Sequence, residues 1–175
     1  RNATLAVVLA ESILQDVYGQ SDSQIVNAVV GGLENTRRLS GLRGRLDVIG
    51  KHPMIIADVS HNTPGIEAAL RFARERCDGK LHVAIGLLRD KQFEEIAKLV
   101  STYADVAHVT PLSGERAVEP KQLEDALSDR GLEIGPGGAI ARIVASFLSR
   151  SRPSDALLLC GSHQVVGQLD PKLLV

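Results

Sequence analysis

A chain of 175 residues with 44% hydrophobic side chains can build one compact core, and a formal net charge of -1 with acids and bases intermixed excludes a single-sign field for recruiting nucleic acid or an anionic membrane. Aromatics are scarce (three Phe, two Tyr, no Trp), so the interior must come from Ala, Val, Ile and Leu, which favours helices on parallel strands over a β-sandwich. No run approaches the roughly 18 apolar residues of a membrane span, and the opening RNATLAVVLAESIL has no basic stretch leading to a cleavage site, so a soluble, cytoplasmic chain entered in mid-helix is expected.

Leu5, Val8, Leu9 and Ile13 recur at helical spacing, widened by Leu14 and Val17, which predicts an amphipathic helix over 2–17. Asp22 or Ser23 caps a second helix through Leu33, with Ile25, Val29, Val30 and Leu33 on one side. Gly41 and Gly44 then stop helicity, and the composition shifts from a helical lead-in over 1–40 to an α/β unit over 41–175. RLDVI alternates as a strand, Lys51-His52-Pro53 turns, and MIIAD is a short strand ending in a carboxylate. Pro64 starts a helix to about Arg76 whose Ile66, Ala69, Leu70 and Ala73 point inward. LHVAIG and KQFEEIAKLVSTY follow as strand and helix, then DVAHVT and PKQLEDALSDR, the short strand GLEIG, a helix from Ile140 to Leu148, and strand ALLLC.

This alternation predicts a three-layer α/β sandwich with a mostly parallel, Rossmann-like sheet and right-handed crossovers. Ligands of such sheets bind beyond the carboxyl ends of the strands, which puts Asp58, Gly86, Thr110 and Gly161 on one functional rim. Cys77 and Cys160, far apart and without metal-ligand spacing, read as reduced thiols, and no metal site is expected within the chain. His82 and His108 lie inside apolar strands and read as core or edge histidines. Gly135-Pro136-Gly137-Gly138 lacks the Lys-Ser/Thr ending of a phosphate loop and reads as a turn before a helix.

The densest polar cluster is Asp58-Val59-Ser60-His61-Asn62, between a strand and a helix. It reads either as a turn with Asn62 or Thr63 as N-cap, or as a binding loop in which Asp58 accepts hydrogen bonds while His61 and the helix start approach an anion. Arg43 and Arg45 flank Gly44, which lets the backbone pass close to a ligand while a guanidinium forks onto phosphate oxygens; a solvated turn is the plainer reading. A single short hairpin would bring Arg45 and Asp58 to the same rim.

Gly44-Arg45 leading into a strand, the Asp58-to-Asn62 loop, Gly86-Leu87-Leu88-Arg89-Asp90-Lys91 after the next strand, Gly161-Ser162 after the last one, and Asn2-Ala3 opening the first helix fall in an order that resembles the carboxy-terminal domain of folylpolyglutamate synthases, of the Mur ligase superfamily. That resemblance implies an ATP-dependent ligase joining L-glutamate to folate, with or without dihydrofolate synthesis: ATP phosphorylates the carboxylate and the amine displaces phosphate through a tetrahedral intermediate. It further implies that Arg45 contacts ATP phosphates, Asp58 the nucleoside, and Asn2 the nucleotide site, while His61 and Ser162 lie near the glutamate. A helix N-cap stays open for Asn2 and a loop hydroxyl for Ser162, and Asp90-Lys91 suits a helix start or an interdomain contact.

The chain departs from the family pattern at Val59, Ser60 and Thr63, at Gln92 after Asp90-Lys91, and at His163 after Gly-Ser, which touches the glutamate pocket more than the nucleotide face. GxxxxGK[ST] occurs nowhere, so the phosphate cradle and most of the Mg2+ ligands are expected in an N-terminal P-loop domain, with no residue of this chain assigned a catalytic role and the chain alone expected to be inactive. The alternatives are a Mur ligase of peptidoglycan synthesis and a non-catalytic nucleotide-binding module. A dinucleotide fold is disfavoured by the lack of GxGxxG after the first strand.

Overall fold

The computed structural model describes residues 2–41, 43–89 and 92–169, leaving out the side chains of Asn2, Ala3 and Arg37. It divides into two compact units, Arg1–Arg43 and Gly44–Val175.

The first unit is a helix α1 (Asn2–Asp16), a helix α2 (Asp22–Glu34) and a short α3 (Thr36–Ser40). The cap of α2 is Ser21, one residue before the expected pair, and its N–H donates to Oε1 of Gln24 at 3.0 Å. A helical pair can cover only one side of each member. Ala6, Val7, Ala10 and Leu14 of α1 line a groove with Ala28, Val29, Gly32 and Leu33 of α2, while Leu5, Val8, Leu9, Ile13 and Val17 remain between 50% and 70% exposed. The stripe that marked α1 as amphipathic thus stays largely on the surface of this unit.

The second unit holds a six-stranded sheet in the order β1-β2-β6-β3-β4-β5. Its strands are β1 (Asp47–Lys51), β2 (Met54–Ala57), β3 (Leu81–Ile85), β4 (Val106–Val109), β5 (Glu133–Ile134) and β6 (Ala156–Cys160). All pairs are parallel except the β1–β2 hairpin at one edge. Helices α4 (Thr63–Arg74), α5 (Phe93–Tyr103) and α6 (Pro120–Ser128) cover one face, and α7 (Ile140–Arg150) and α8 (His163–Gly167) the other. The mostly parallel three-layer arrangement is the one expected from the alternation of elements.

Every residue of β6 is buried, as a central parallel strand covered on both faces requires. Leu158 and Cys160 join the core under α4, α5 and α6, whereas Leu157 and Leu159 join the core under α7 and α8. Ile66, Ala69, Leu70 and Ala73 are the inward residues of α4, each at most 1% exposed. Full burial of each large aliphatic side chain contributes about 1.5–3 kcal/mol. Cys77 and Cys160 are free and buried, and burial pushes both thiols up.

Two histidines interrupt the α7 face. Nδ1 of His82 lies 3.0 Å from Nε2 of His108, and Nδ1 of His108 lies 3.0 Å from the Pro136 carbonyl oxygen. A side chain on residue 135 would collide with the His108 ring, so glycine there admits the pair. Burial is the main cause that holds both rings below their ordinary value, with His108 adding to the effect on His82. The folded state therefore binds protons less readily than the unfolded one. Its contribution is complete above the unfolded value of 6.5 and is lost as pH falls through the folded values. The melting temperature should fall between about pH 7 and about pH 5, and less steeply in His108→Gln, whose amide can serve both partners without titrating.

Candidate functional site

Parallel strands end at one edge, and the loops that follow them are tied to one another there. The Asp58 N–H donates to Leu159 O at 2.9 Å, Gly161 N–H to Ser60 O at 2.8 Å, and Thr110 N–H to Ile85 O at 3.0 Å. The β1–β2 register, Asp47 opposite Ala57, brings the segment before β1 to the same edge.

The Gly44-to-Asp47 turn is fixed from several sides. Gly44 and Leu46 both adopt left-handed conformations, at φ 68° and 53°. The Gly44 N–H donates to Oδ2 of Asp47 at 2.9 Å, its carbonyl accepts from Val59 N at 2.8 Å, and Leu46 N–H donates to Oδ2 of Asp58 at 2.9 Å. A Cβ on residue 44 would lie 2.7 Å from Val59 Cγ1 and 3.1 Å from Val166 Cγ1. Gly44 thus allows a close approach to the protein's own core. Arg45, between these anchored neighbours, is exposed.

Asp58 is buried at 6% exposure. One carboxylate oxygen accepts from Leu46 N and the other from Ser60 N at 2.8 Å, so the side chain clamps the Arg45 turn to its own loop. Arg45 and Asp58 therefore stand on one edge, joined through the backbone of Leu46.

Asn62 is the N-cap of α4, its Oδ1 accepting from Gly65 N at 2.9 Å. His61 is half-buried, with Nδ1 3.1 Å from Val59 O and its ring centroid 5.9 Å from that of His163. Ser162 is buried and caps α8, accepting from Gln164 N at 3.1 Å. The structure thus brings His61 and the loop containing Ser162 together. Asp90, Lys91 and the side chain of Asn2 lie outside the described residues.

Sequence reasoning named Ser60 without giving it a role and passed over Gln164. The Ser60 hydroxyl is buried and has no hydrogen-bond partner among the described residues, a state that costs about 1–3 kcal/mol. Gln164 clamps the loop after β4, accepting from Ser113 N at 2.8 Å and donating to Ser113 O at 3.2 Å. Ser60 was signalled by its place in the polar loop; nothing in a single sequence joins Gln164 to Ser113. For a nucleotide, the chemical fit is carried by Arg45, an exposed guanidinium on a fixed turn, because the Asp58 oxygens already serve backbone donors. Among the described residues no cluster of three or more His, Cys, Asp or Glu could hold a metal ion, and no helix is long and apolar enough to cross a membrane.

A parallel sheet whose carboxyl edge gathers an arginine turn and a histidine-bearing loop defines the class of α/β domains that bind ligands beyond their strand ends. The model of the family "Mur ligase, glutamate ligase domain" matches residues 44–163, and the chain belongs to that family. It is 28% identical over 171 residues to a probable bifunctional folylpolyglutamate synthase/dihydropteroate synthase of Haloferax volcanii, covering 96% of this chain and 19% of that protein. It is 24% identical over 177 residues to a dihydrofolate synthase/folylpolyglutamate synthase of Bacillus subtilis, covering 99% of this chain and 38% of that protein. Among solved structures, E. coli FolC in complex with DHPP and ADP superposes with a TM-score of 0.64 at 25% identity, over 71% of this chain and 30% of that one. The chain thus spans well under half the length of these relatives.

Proposed function

We propose that this chain is the C-terminal part of a cytoplasmic, ATP-dependent ligase that adds L-glutamate to folate, residues 1–40 being a helical lead-in from the preceding central domain or linker and 41–175 the ligase domain. The observation that carries the reading is the shared edge of the Arg45 turn and the Asp58-to-Asn62 loop, fixed through the Leu46-to-Asp58 hydrogen bond. Matches to folate ligases that run over 96% and 99% of the chain, its helical lead-in included, favour folate over a cell-wall precursor as the acceptor.

In this reading the upstream P-loop domain holds Mg2+ and most of the triphosphate, and ATP supplies the phosphoryl group that activates the substrate carboxylate. Arg45 neutralises phosphate charge, Asp58 sets the turn that presents Arg45 and lies beside the nucleoside, and Asn2 adds a polar group to the nucleotide site. His61 and Ser162 border the glutamate, and Asp90 and Lys91 meet the neighbouring domain. Closure of the two domains completes the site and excludes water from the activated carboxylate. The exposed stripe of α1, from Leu5 to Val17, supports a covering role for the upstream region, since isolated apolar faces of this extent mark interaction surfaces.

The chain alone should bind ATP weakly and turn nothing over. Joined to its upstream region, as one polypeptide or by mixing, it should form ADP and phosphate dependent on both folate and glutamate. Turnover by the chain alone would refute the half-site, and turnover with UDP-muramoyl substrates instead of folate would move the enzyme to peptidoglycan synthesis.

A further inference from the structure

The histidine pair has fixed proton positions. The Pro136 carbonyl can only accept, so Nδ1 of His108 carries a proton and, in the neutral ring, Nε2 is bare. That bare nitrogen must accept, so Nδ1 of His82 is the donor, and Nε2 of neutral His82 is left with a lone pair. His82 is half-buried and lines a 420 Å³ cleft with Lys80, Arg150, Arg152 and Asp155. The cleft sits at the amino ends of β3 and β6, whose parallel course puts it on the opposite edge of the sheet from the Arg45 turn.

The charges around His82 come from each neighbouring element. Asp155 precedes β6 and is buried, with Oδ1 accepting from Lys80 N at 2.9 Å and Oδ2 from Arg152 N at 2.8 Å. Lys80 precedes β3 and pairs with Glu133 of β5 at 3.0 Å. His108 comes from β4, and Arg150 ends α7. Arg150 and Arg152 are exposed, and among the described residues neither forms an ion pair with a carboxylate, while Arg152 is attracted electrostatically to the nearby Asp155. Two guanidiniums therefore line a cleft whose carboxylate, Asp155, already serves two backbone donors, beside an imidazole that lacks only a proton to become a donor.

We propose that this cleft binds a tetrahedral dianion of the phosphate class, and that binding draws one proton from solvent onto Nε2 of His82. Arg150 and Arg152 supply the charge and the protonated His82, another lining residue, an N–H. The first proton leaves the His82-to-His108 hydrogen bond intact, since Nδ1 of His82 already donates. The depressed affinity of the free ring for protons, caused by burial, keeps it neutral until the anion arrives.

Sulfate is the suitable probe, because it stays a dianion across neutral pH while phosphate titrates there. The chain is titrated with sodium sulfate at pH 6 and pH 8 at constant ionic strength, with the ring nitrogens followed by nitrogen-15 NMR. Sulfate should bind more tightly at the lower pH, by up to about tenfold per pH unit for one linked proton. Nε2 of His82 should move to its protonated shift on saturation. The exposed pair Arg150→Gln/Arg152→Gln should keep the fold, checked by circular dichroism, and lose most of the affinity. His82→Asn, which retains an N–H for His108, should bind weakly and without pH dependence. Absence of saturable binding, equal affinity at both pH values, or full affinity in the double arginine variant would overturn the proposal.

Discussion

Gly161→Ala should destabilise the chain by about 3–5 kcal/mol, a large share of the roughly 5–15 kcal/mol that holds a domain folded. Gly161 has φ 103°, a conformation L-residues rarely adopt, and a Cβ there would lie 2.5 Å from the Gly86 carbonyl oxygen and 2.9 Å from Ile85 Cγ1. The first effect costs about 1–3 kcal/mol as backbone strain and the second a similar amount as overpacking. Gly131→Ala separates them, because its φ of 80° is also left-handed while no atom of the described residues lies within 4 Å of the added carbon. It should lose only the strain part, about 1 kcal/mol. Urea unfolding of both variants gives the comparison, and equal losses would mean that the carboxyl edge yields where the glycine contact says it is rigid. The contact matters for function because Gly86 and Gly161 follow adjacent strands, and Gly161 N–H holds the loop that carries His61.

Much of this architecture was legible in the residues. The helical spacing of Ile66, Ala69, Leu70 and Ala73 names the buried face of α4, and the unbroken apolar run Ala156–Cys160 marks a strand buried on both faces. Two strands separated by Lys51-His52-Pro53 foretold the hairpin and, through it, the shared edge of Arg45 and Asp58. Short elements escaped because five residues carry too little periodicity, which is why α3 and α8 were not foreseen. The start of β1 at Asp47 in place of Arg45 follows from the left-handed Leu46, which a leucine gives no warning of. Long-range facts were out of reach: the insertion of β6 between β2 and β3, and the pairing of His82 with His108 across two strands, depend on register that one sequence does not state. The polar loop announced that Asp58 mattered, yet a carboxylate that grips a ligand and one that grips its own backbone look identical in the chain of letters.

That ambiguity decides the most informative experiment on the ligase proposed above, a double-mutant cycle on Arg45 and Asp58. Arg45 is exposed, so Arg45→Ala should change stability by no more than about 0.5 kcal/mol. If its guanidinium meets ATP phosphates, the loss of charge-assisted hydrogen bonds of about 1.5–3 kcal/mol should lower kcat/KM for ATP roughly 10- to 100-fold. Asp58→Asn keeps one acceptor and leaves either the Leu46 or the Ser60 N–H unpaired in a buried place, which should cost about 1–3 kcal/mol of stability. It should also lower kcat/KM, and the route of that loss is the question. Should Asp58 act by fixing the turn that presents Arg45, the double variant will be little worse than Arg45→Ala alone, because a misplaced arginine cannot be lost twice. Should Asp58 hold the nucleoside directly, the two losses will add. The network in this structure, with both oxygens of Asp58 on backbone donors and one donor adjacent to Arg45, predicts the non-additive result.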